Sequence, residues 1–377
     1  MRGAALACAK AAPDMFVVYM GNNERNGFML QKVFYRPGPW ALGLPFIHAN
    51  IFLSDMRLAQ ILNPASNLES VSAQDHITFA PEAEKVYTYY RANLEDIADA
   101  GTRAGARVVL CTLGSMLRDW CVDSKNHREL SPDLMKEWDA ACAAGVAPQE
   151  KGDYPGAIQA YEEAAAIDST YAELDDRIGR CYWMIEEYQK SRSACEEARE
   201  WDTTHSRPNR RINSIIVETA ASRAGQGVVL ADSASALADA SPHGVTGPEF
   251  FWDFVHLTFE GNYVLASTVF EQVQRSLPDW IKPQSQGMAG PLSQEECGKR
   301  LGFCLPVLRD QIKRSYGLAV NYYHQPHEGF DKRLEELDRQ IGDNELAMRL
   351  DAQRAAAALN GEDVGPRVQY IQNLMKD

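Results

Sequence analysis

The chain has 377 residues, of which 45% are hydrophobic and 24% charged, a composition typical of a globular protein with two or three domains. Its formal net charge of −14 argues against binding to nucleic acid or to an anionic membrane surface. No apolar run reaches the roughly 18 residues of a membrane-spanning helix, and the eight cysteines, scattered without a C-x-x-C pair, argue against a structural zinc site.

The N-terminal segment leads into a predicted buried strand at residues 15–20, a short apolar run of β-branched and aromatic side chains. No signal peptide is predicted ahead of this strand, and the compartment stays open. The strand ends in Gly21-Asn22-Asn23-Glu24. Polar residues at the carboxyl edge of a parallel sheet bind ligands, and an Asn amide there can donate to a developing oxyanion. A turn explains the same residues equally well, since Gly and Asn favour turns.

A helix and a second strand follow along the chain. The helix is predicted to begin near Pro81, and one of its faces is apolar. The residues of that face are Val86, Tyr90, Leu94 and Ile97. The apolar run 107–113 predicts a buried strand, and the strand–helix–strand order indicates a parallel sheet. Beyond the strand, Arg118 can meet either an anionic group or Asp119, and a structural ion pair is the favoured interpretation.

The next segment contains a repeat with a period of 34 residues. The matching pairs are Gly145 and Gly179, Tyr154 and Tyr188, Ala164 and Ala198, and Asp168 and Asp202. This pattern resembles the tetratricopeptide repeat, although Glu186 replaces the turn glycine of the second copy. Two copies are too few for an independent solenoid, so we expect the repeat to depend on packing against the rest of the chain for its stability. Peptide binding is the alternative to this packing role.

The segment after the repeat is basic, with arginines at positions 207, 210 and 211. These residues either bind an anionic substrate or compensate the acidic repeat helices. Residues 227–232 predict the last strand.

A D-x-x-H sequence then precedes a predicted helix. If the backbone turns between Asp253 and His256, the carboxylate can hold one ring nitrogen and leave the other free to accept a proton. Thr258 is the predicted N-cap of the helix that follows. An ordinary surface loop is the alternative interpretation of an isolated D-x-x-H.

Together the two polar stretches resemble conserved blocks of the SGNH, or GDSL-type, hydrolase superfamily. Gly21-Asn22-Asn23-Glu24 is similar to its G-x-N-D block, with Glu in the last place, and Asp253–His256 is similar to its D-x-x-H block. The resemblance extends to bacterial members that carry tetratricopeptide repeats within the hydrolase domain, and it covers roughly residues 10–280. The segments that carry it are VVYMGNNE, VVLCTLGSMLRD and FVHLTFEGNYVLA.

The resemblance implies a flavodoxin-like, three-layer α/β fold with a parallel sheet and an all-α repeat insert. Beyond it, a Pro-containing stretch at 283–291 and an apolar pattern interleaved with charges predict a helical C-terminal extension. The expected bounds are 1–136 and 207–282 for the two parts of the α/β domain, 137–206 for the insert and 283–377 for the extension. The resemblance also implies hydrolysis of an acyl ester or a carbohydrate O-acyl ester, without metal or organic cofactor. In that mechanism His256 is the base, Asp253 orients it, and Asn23 and Gly21 serve the oxyanion.

One part of the family mechanism has no counterpart here. The nucleophilic Ser of the family precedes the G-x-N-D block, and no Ser precedes Gly21. We therefore expect the chain to begin within the hydrolase domain, to lack the first strands and the nucleophile, and to be inactive as it stands. Ser115 and Ser233 are disfavoured as substitutes because they follow later strands. The alternative is a non-catalytic protein that keeps the fold and binds a protein partner through its repeats.

Overall fold

A computed structural model gives the fold of the chain for part of its length. It describes residues 2–22, 24, 82–120, 128–203, 206–278, 280–281, 291–303, 307–309, 311–313, 335 and 338–339. Within these residues the chain is an α/β protein with a small parallel three-stranded sheet and many helices, which confirms the predicted class. None of the helices described is long and apolar enough to cross a membrane.

Three strands and ten α-helices have their bounds within the described residues. The strands are β1 (Met15–Val18), β2 (Arg107–Cys111) and β3 (Val228–Ala231). The first five helices are α1 (Arg2–Ala9), α2 (Glu82–Arg103), α3 (Pro132–Glu150), α4 (Tyr154–Ile167) and α5 (Ala172–Met184). The other five are α6 (Tyr188–Trp201), α7 (Arg210–Ser222), α8 (Ser233–Ala240), α9 (Phe259–Ser276) and α10 (Gln294–Leu301).

The sheet has the strand order β1-β2-β3. β1 and β2 are parallel, with Met15 opposite Arg107 and Val18 opposite Leu110. The backbone N–H of Val108 donates to the carbonyl of Gly227, just before β3, at 3.0 Å. All three predicted strands are confirmed, each with bounds slightly shorter than the apolar run that indicated it. The central strand β2 is buried from its second residue onward, as expected for a strand with neighbours on both sides.

Helix α2 covers the sheet through a close contact at Gly101. A Cβ at that position would lie 2.7 Å from Cγ2 of Val108 and 3.0 Å from the ring of Phe16, so the glycine allows the helix to approach. The predicted apolar face of this helix is confirmed. Its buried residues include Val86, Tyr90, Leu94 and Ile97. The helix therefore lies between the two parallel strands in chain order and packs on the sheet that they form.

The chain divides into two compact units. The first is drawn from residues 1–113, 122–185 and 193–229, and the second from residues 114–121, 186–192 and 230–377. The first contains β1, β2 and helices α1 to α5 and α7. The second contains α8, α9 and α10. The expected bounds of the helical insert stay a prediction, and most of the predicted C-terminal extension lies outside the described residues.

Helices α3 to α6 occupy the segment with the 34-residue period. A Cβ on Gly145 of α3 would lie 2.3 Å from the ring of Tyr161 on α4, so the absence of a side chain brings these two helices together. Gly152, in the turn between them, has φ of +78°. The residue one period later, Glu186, has φ of +63°, so a non-glycine side chain holds the same left-handed conformation.

Candidate active site

Asp253 and His256 are brought together in the second unit. The Nδ1–H of His256 donates to Oδ2 of Asp253 at 2.7 Å, and Nδ1 lies 3.0 Å from Oδ1. The side chain of Asp253 is only 10% exposed, whereas that of His256 is 69% exposed. The sequence allowed this pair to meet if the backbone turned between them, and the structure brings the two side chains together. The result is a buried carboxylate that holds an imidazole ring open to solvent.

The electrostatics of the pair suit proton transfer. The hydrogen bond that the ring of His256 donates to Asp253 raises the pKa of His256 above its ordinary value, and partial burial of the ring opposes this rise. Because Nδ1 carries the proton shared with the carboxylate, Nε2 is left with a lone pair. An imidazole in this state can accept a proton from a hydroxyl group and afterwards return it to a leaving group.

A tight turn produces the contact. Phe251 and Leu257 form an isolated antiparallel bridge, and the N–H of Trp252 donates to the carbonyl of His256 at 2.7 Å. Within the turn, Oδ1 of Asp253 accepts the backbone N–H groups of Val255 at 3.0 Å and His256 at 2.9 Å. The carboxylate therefore fixes both the turn and the ring. The three-residue spacing in the sequence already places the donors within reach of one side chain.

The predicted N-cap after the turn is also confirmed. The hydroxyl of Thr258 accepts the N–H of Gly261 at 3.0 Å and donates to the carbonyl of Glu249 at 3.0 Å. Thr258 is fully buried, and its backbone N–H donates to the carbonyl of Phe250. The start of α9 is thus tied to the segment that precedes the turn, which holds both ends of the Asp–His loop.

The loop rests on the segment that follows β2. The N–H of Met116 donates to the carbonyl of Phe254 at 3.0 Å, and the rings of Trp120 and Phe254 pack edge to face with centroids 5.3 Å apart. The hydroxyl of Thr246 donates to the carbonyl of Ser115 at 2.6 Å. These contacts join residues more than a hundred positions apart in the sequence, and no sequence pattern indicated them.

Arg118 strengthens the same connection. It pairs with Asp119, as the sequence interpretation expected, and its guanidinium also donates to Oε2 of Glu249 at 2.8 Å. Oε1 of Glu249 accepts the N–H of Gly247 at 2.8 Å. Glu249 therefore orders the approach to the Asp–His turn, a role that sequence reasoning missed because its partner is distant in the chain.

The two proposed oxyanion residues, Gly21 and Asn23, follow β1 in the chain. Gly21 is a buried residue of the first unit with φ of +132°, and a Cβ there would lie 2.7 Å from Cδ1 of Leu113 and 2.8 Å from the hydroxyl of Tyr90. That hydroxyl donates to the carbonyl of Met20 at 2.8 Å. Close packing at the end of β1 thus accounts for a glycine at this position. Asn23 lies outside the described residues.

The three arginines of the basic segment after the repeat all form ion pairs within the protein. Arg207 is buried and pairs with Asp202 at 3.3 Å. Arg210 pairs with Glu197 at 2.5 Å. Arg211 pairs with Glu84 and lies over the ring of Tyr87, with its guanidinium carbon 4.4 Å from the centroid. These contacts favour charge compensation over the binding of an anionic substrate.

The two serines considered as substitute nucleophiles lie in the protein interior. Ser115 and Ser233 are both buried, and Asp232 caps α8 by accepting the N–H of Ser235. In the part of the chain that the structure describes, no group of three or more His, Cys, Asp or Glu residues is placed to hold a metal ion. What sets His256 apart from the exposed His243 of the same unit is the hydrogen bond of its ring to the buried carboxylate of Asp253.

Comparisons with protein-family models, with curated proteins and with solved structures found no match to this chain. The fold and the site thus define its class through their own geometry. The class is an α/β protein with a parallel sheet and an Asp–His pair on a loop before a helix.

Proposed function

We propose that the chain belongs to an SGNH-like ester hydrolase and that Asp253 and His256 are its acid–base pair. The observation that carries the proposal is the 2.7 Å contact between Nδ1 of His256 and Oδ2 of Asp253, in which the carboxylate is buried and the ring is exposed. A base that must reach a substrate needs an accessible ring, and a partner that orients it needs shelter from water.

The proposed roles follow from the chemistry of ester cleavage. His256 takes the proton of the attacking hydroxyl and then protonates the departing alcohol, while Asp253 stabilises the imidazolium that forms. The family resemblance adds a serine nucleophile ahead of Gly21, where these 377 residues contain none, and assigns Asn23 to the oxyanion. Within the proposal, the substrate is a small acyl ester or an O-acylated carbohydrate.

The test measures hydrolysis of p-nitrophenyl acetate and release of acetate from an O-acetylated polysaccharide. It is run on the 377-residue chain and on the product of the whole open reading frame that contains it. A fluorophosphonate probe, followed by peptide mass spectrometry, locates any activated serine. In an active protein, His256→Gln should lower kcat/KM by about 10²–10⁴ because the general base is lost. His243→Gln is the matched control, since His243 is an exposed histidine of the same unit.

The outcomes are distinct. Activity that falls with His256→Gln and survives His243→Gln supports the proposal. Activity that is indifferent to His256→Gln would show that the pair does not act on the substrate. Absence of both hydrolysis and probe labelling from both proteins would leave the hydrolase assignment without a reaction.

A second candidate is a non-catalytic interaction protein that binds a partner through a tetratricopeptide-like region. It is favoured by the 34-residue period together with the close glycine–aromatic contact between α3 and α4. In repeat proteins of this kind, paired helices create extended binding surfaces.

Photo-crosslinking tests the second candidate. The photo-crosslinker p-benzoylphenylalanine is placed at Met184 on α5, which is 55% exposed. The control position is Val217 on α7, which is 40% exposed and lies outside the repeat helices α3 to α6. A covalent complex with one protein, formed from Met184 and not from Val217, would support the interaction role. Equal or no crosslinking from both sites would count against it.

A further inference from the structure

Helix α5 carries a carboxyl group in an unfavourable environment. Asp175 lies in the first turn of the helix, and its Oδ2 is buried without a hydrogen-bond partner among the residues that the structure describes. A buried carboxylate oxygen with no donor loses the solvation that stabilises its charge. The side chain is therefore in an environment that favours its neutral, protonated form.

The charges around Asp175, like its burial, favour the protonated form of its side chain. Three carboxylates repel a negative charge at Asp175, two of them on other elements and one on α5 itself. They are Glu197 on α6, Asp168 at the end of α4 and Asp176 on α5. Each of the three has a cation of its own, because Arg210 pairs with Glu197, Arg180 with Asp176 and Arg128 with Asp168. Burial, followed by the repulsion from Glu197, raises the pKa of Asp175 to about 8.

The contact of α5 with α6 depends on small apolar surfaces. Ala172 and Ala198 are buried against each other, and Trp201 packs on them. A negative charge that appears at Asp175 would be repelled by Glu197 of the adjacent helix, and it would have to recover water to become solvated. Both demands are met when the two helices separate locally.

We propose that the packing of α6 on α5 is a pH-sensitive device, closed while Asp175 is neutral and loosened when that carboxyl group ionises. The direction follows from proton linkage. Between the ordinary carboxyl pKa of about 4 and the raised folded value, the folded chain binds a proton that the unfolded chain has released. Stability due to this group is therefore greatest at acid pH and falls as the pH rises toward 8.

The experiment measures thermal unfolding of the full chain between pH 5.5 and 9 by circular dichroism. Wild type is compared with Asp175→Asn and with Asp133→Asn, which changes an exposed Asp in the first turn of α3. From pH 5.5 to pH 9, the thermal unfolding midpoint of wild type should fall by about 5 °C or more beyond any fall seen in Asp175→Asn. The difference is expected because wild type, unlike Asp175→Asn, loses a proton from Asp175 in this range. Asp133→Asn should follow wild type.

A second variant keeps the test independent of any global effect of Asp175→Asn. Glu197→Gln removes a negative charge that raises the pKa of Asp175. In this variant the thermal unfolding midpoint should therefore stop falling at a lower pH than in wild type. The proposal is overturned if Asp175→Asn falls as steeply as wild type, or if the curve of Glu197→Gln superimposes on that of wild type.

Discussion

Graded replacement of Asp253 would show how the Asp–His pair is held. The carboxylate accepts the N–H of Val255 and that of His256 through Oδ1, and the ring Nδ1–H through Oδ2. Asn keeps an oxygen for the two backbone donors but turns an NH₂ group toward the ring. Ala removes all three acceptor contacts and leaves the N–H of Val255, a residue only 5% exposed, without its acceptor.

The expected losses differ in size for this reason. A hydrogen bond contributes about 1 kcal/mol net, and a buried donor left unsatisfied costs roughly 1–3 kcal/mol. Asp253→Asn should therefore lower the free energy of unfolding by about 1 kcal/mol and Asp253→Ala by about 3 kcal/mol. Urea unfolding at pH 7 measures both values. Asp239→Asn and Asp239→Ala, which alter an exposed Asp of the same unit, are the matched controls.

A histidine titration by ¹⁵N NMR reads the electrostatic part of the same prediction. Asp253 raises the pKa of His256, so both Asp253 variants should lower that pKa, and Asp239→Asn should leave it unchanged. A raised folded pKa means that protonated His256 stabilises the fold below about pH 6.5, and that this contribution is lost as the pH rises through the folded pKa. Equal destabilisation by Asn and Ala, or a His256 pKa unchanged in both, would refute the reasoning.

Two further predictions concern the helical segment and its buried ion pair. Glu186 holds a left-handed φ of +63° where Gly152 has +78° one period earlier, so Glu186→Gly should stabilise the chain by about 1 kcal/mol and Gly152→Ala should destabilise it by about 1 kcal/mol. Urea midpoints that move the other way would contradict this. Arg207→Met should cost roughly 3–5 kcal/mol because it removes a buried cation that pairs with the buried Asp202, and the double replacement with Asp202→Leu should recover much of the loss. A double variant no more stable than Arg207→Met, measured in the same urea assay, would contradict the pairing.

Much of the local structure follows directly from short patterns in the sequence. The apolar runs at 15–20 and 107–113 indicated strands, and both strands form because β-branched and aromatic side chains suit a buried sheet. The spacing of Val86, Tyr90 and Leu94 indicated the buried face of α2, since one face recurs every three to four residues. These signals involve neighbours in the chain, so no tertiary information was needed to use them.

The Asp–His pair belongs to the same category. Asp253 and His256 are three residues apart, and Thr258 begins the next helix, so a single turn is enough to bring the carboxylate to the ring. The sequence therefore indicated how the contact forms once the backbone turns. It did not predict the contact of Met116 with Phe254 or that of Arg118 with Glu249, because these contacts depend on how distant segments meet.

Length, charge and local pattern thus determined the α/β class, the strands and the spacing that lets Asp253 reach His256. The tertiary structure alone decided that Arg207 is a buried ion-pair partner and that burial, with the charge of Glu197, raises the pKa of Asp175. The physical reason is that burial and charge repulsion depend on which helices pack together. A charged residue at a helical position has the same local pattern in solvent and in a protein interior.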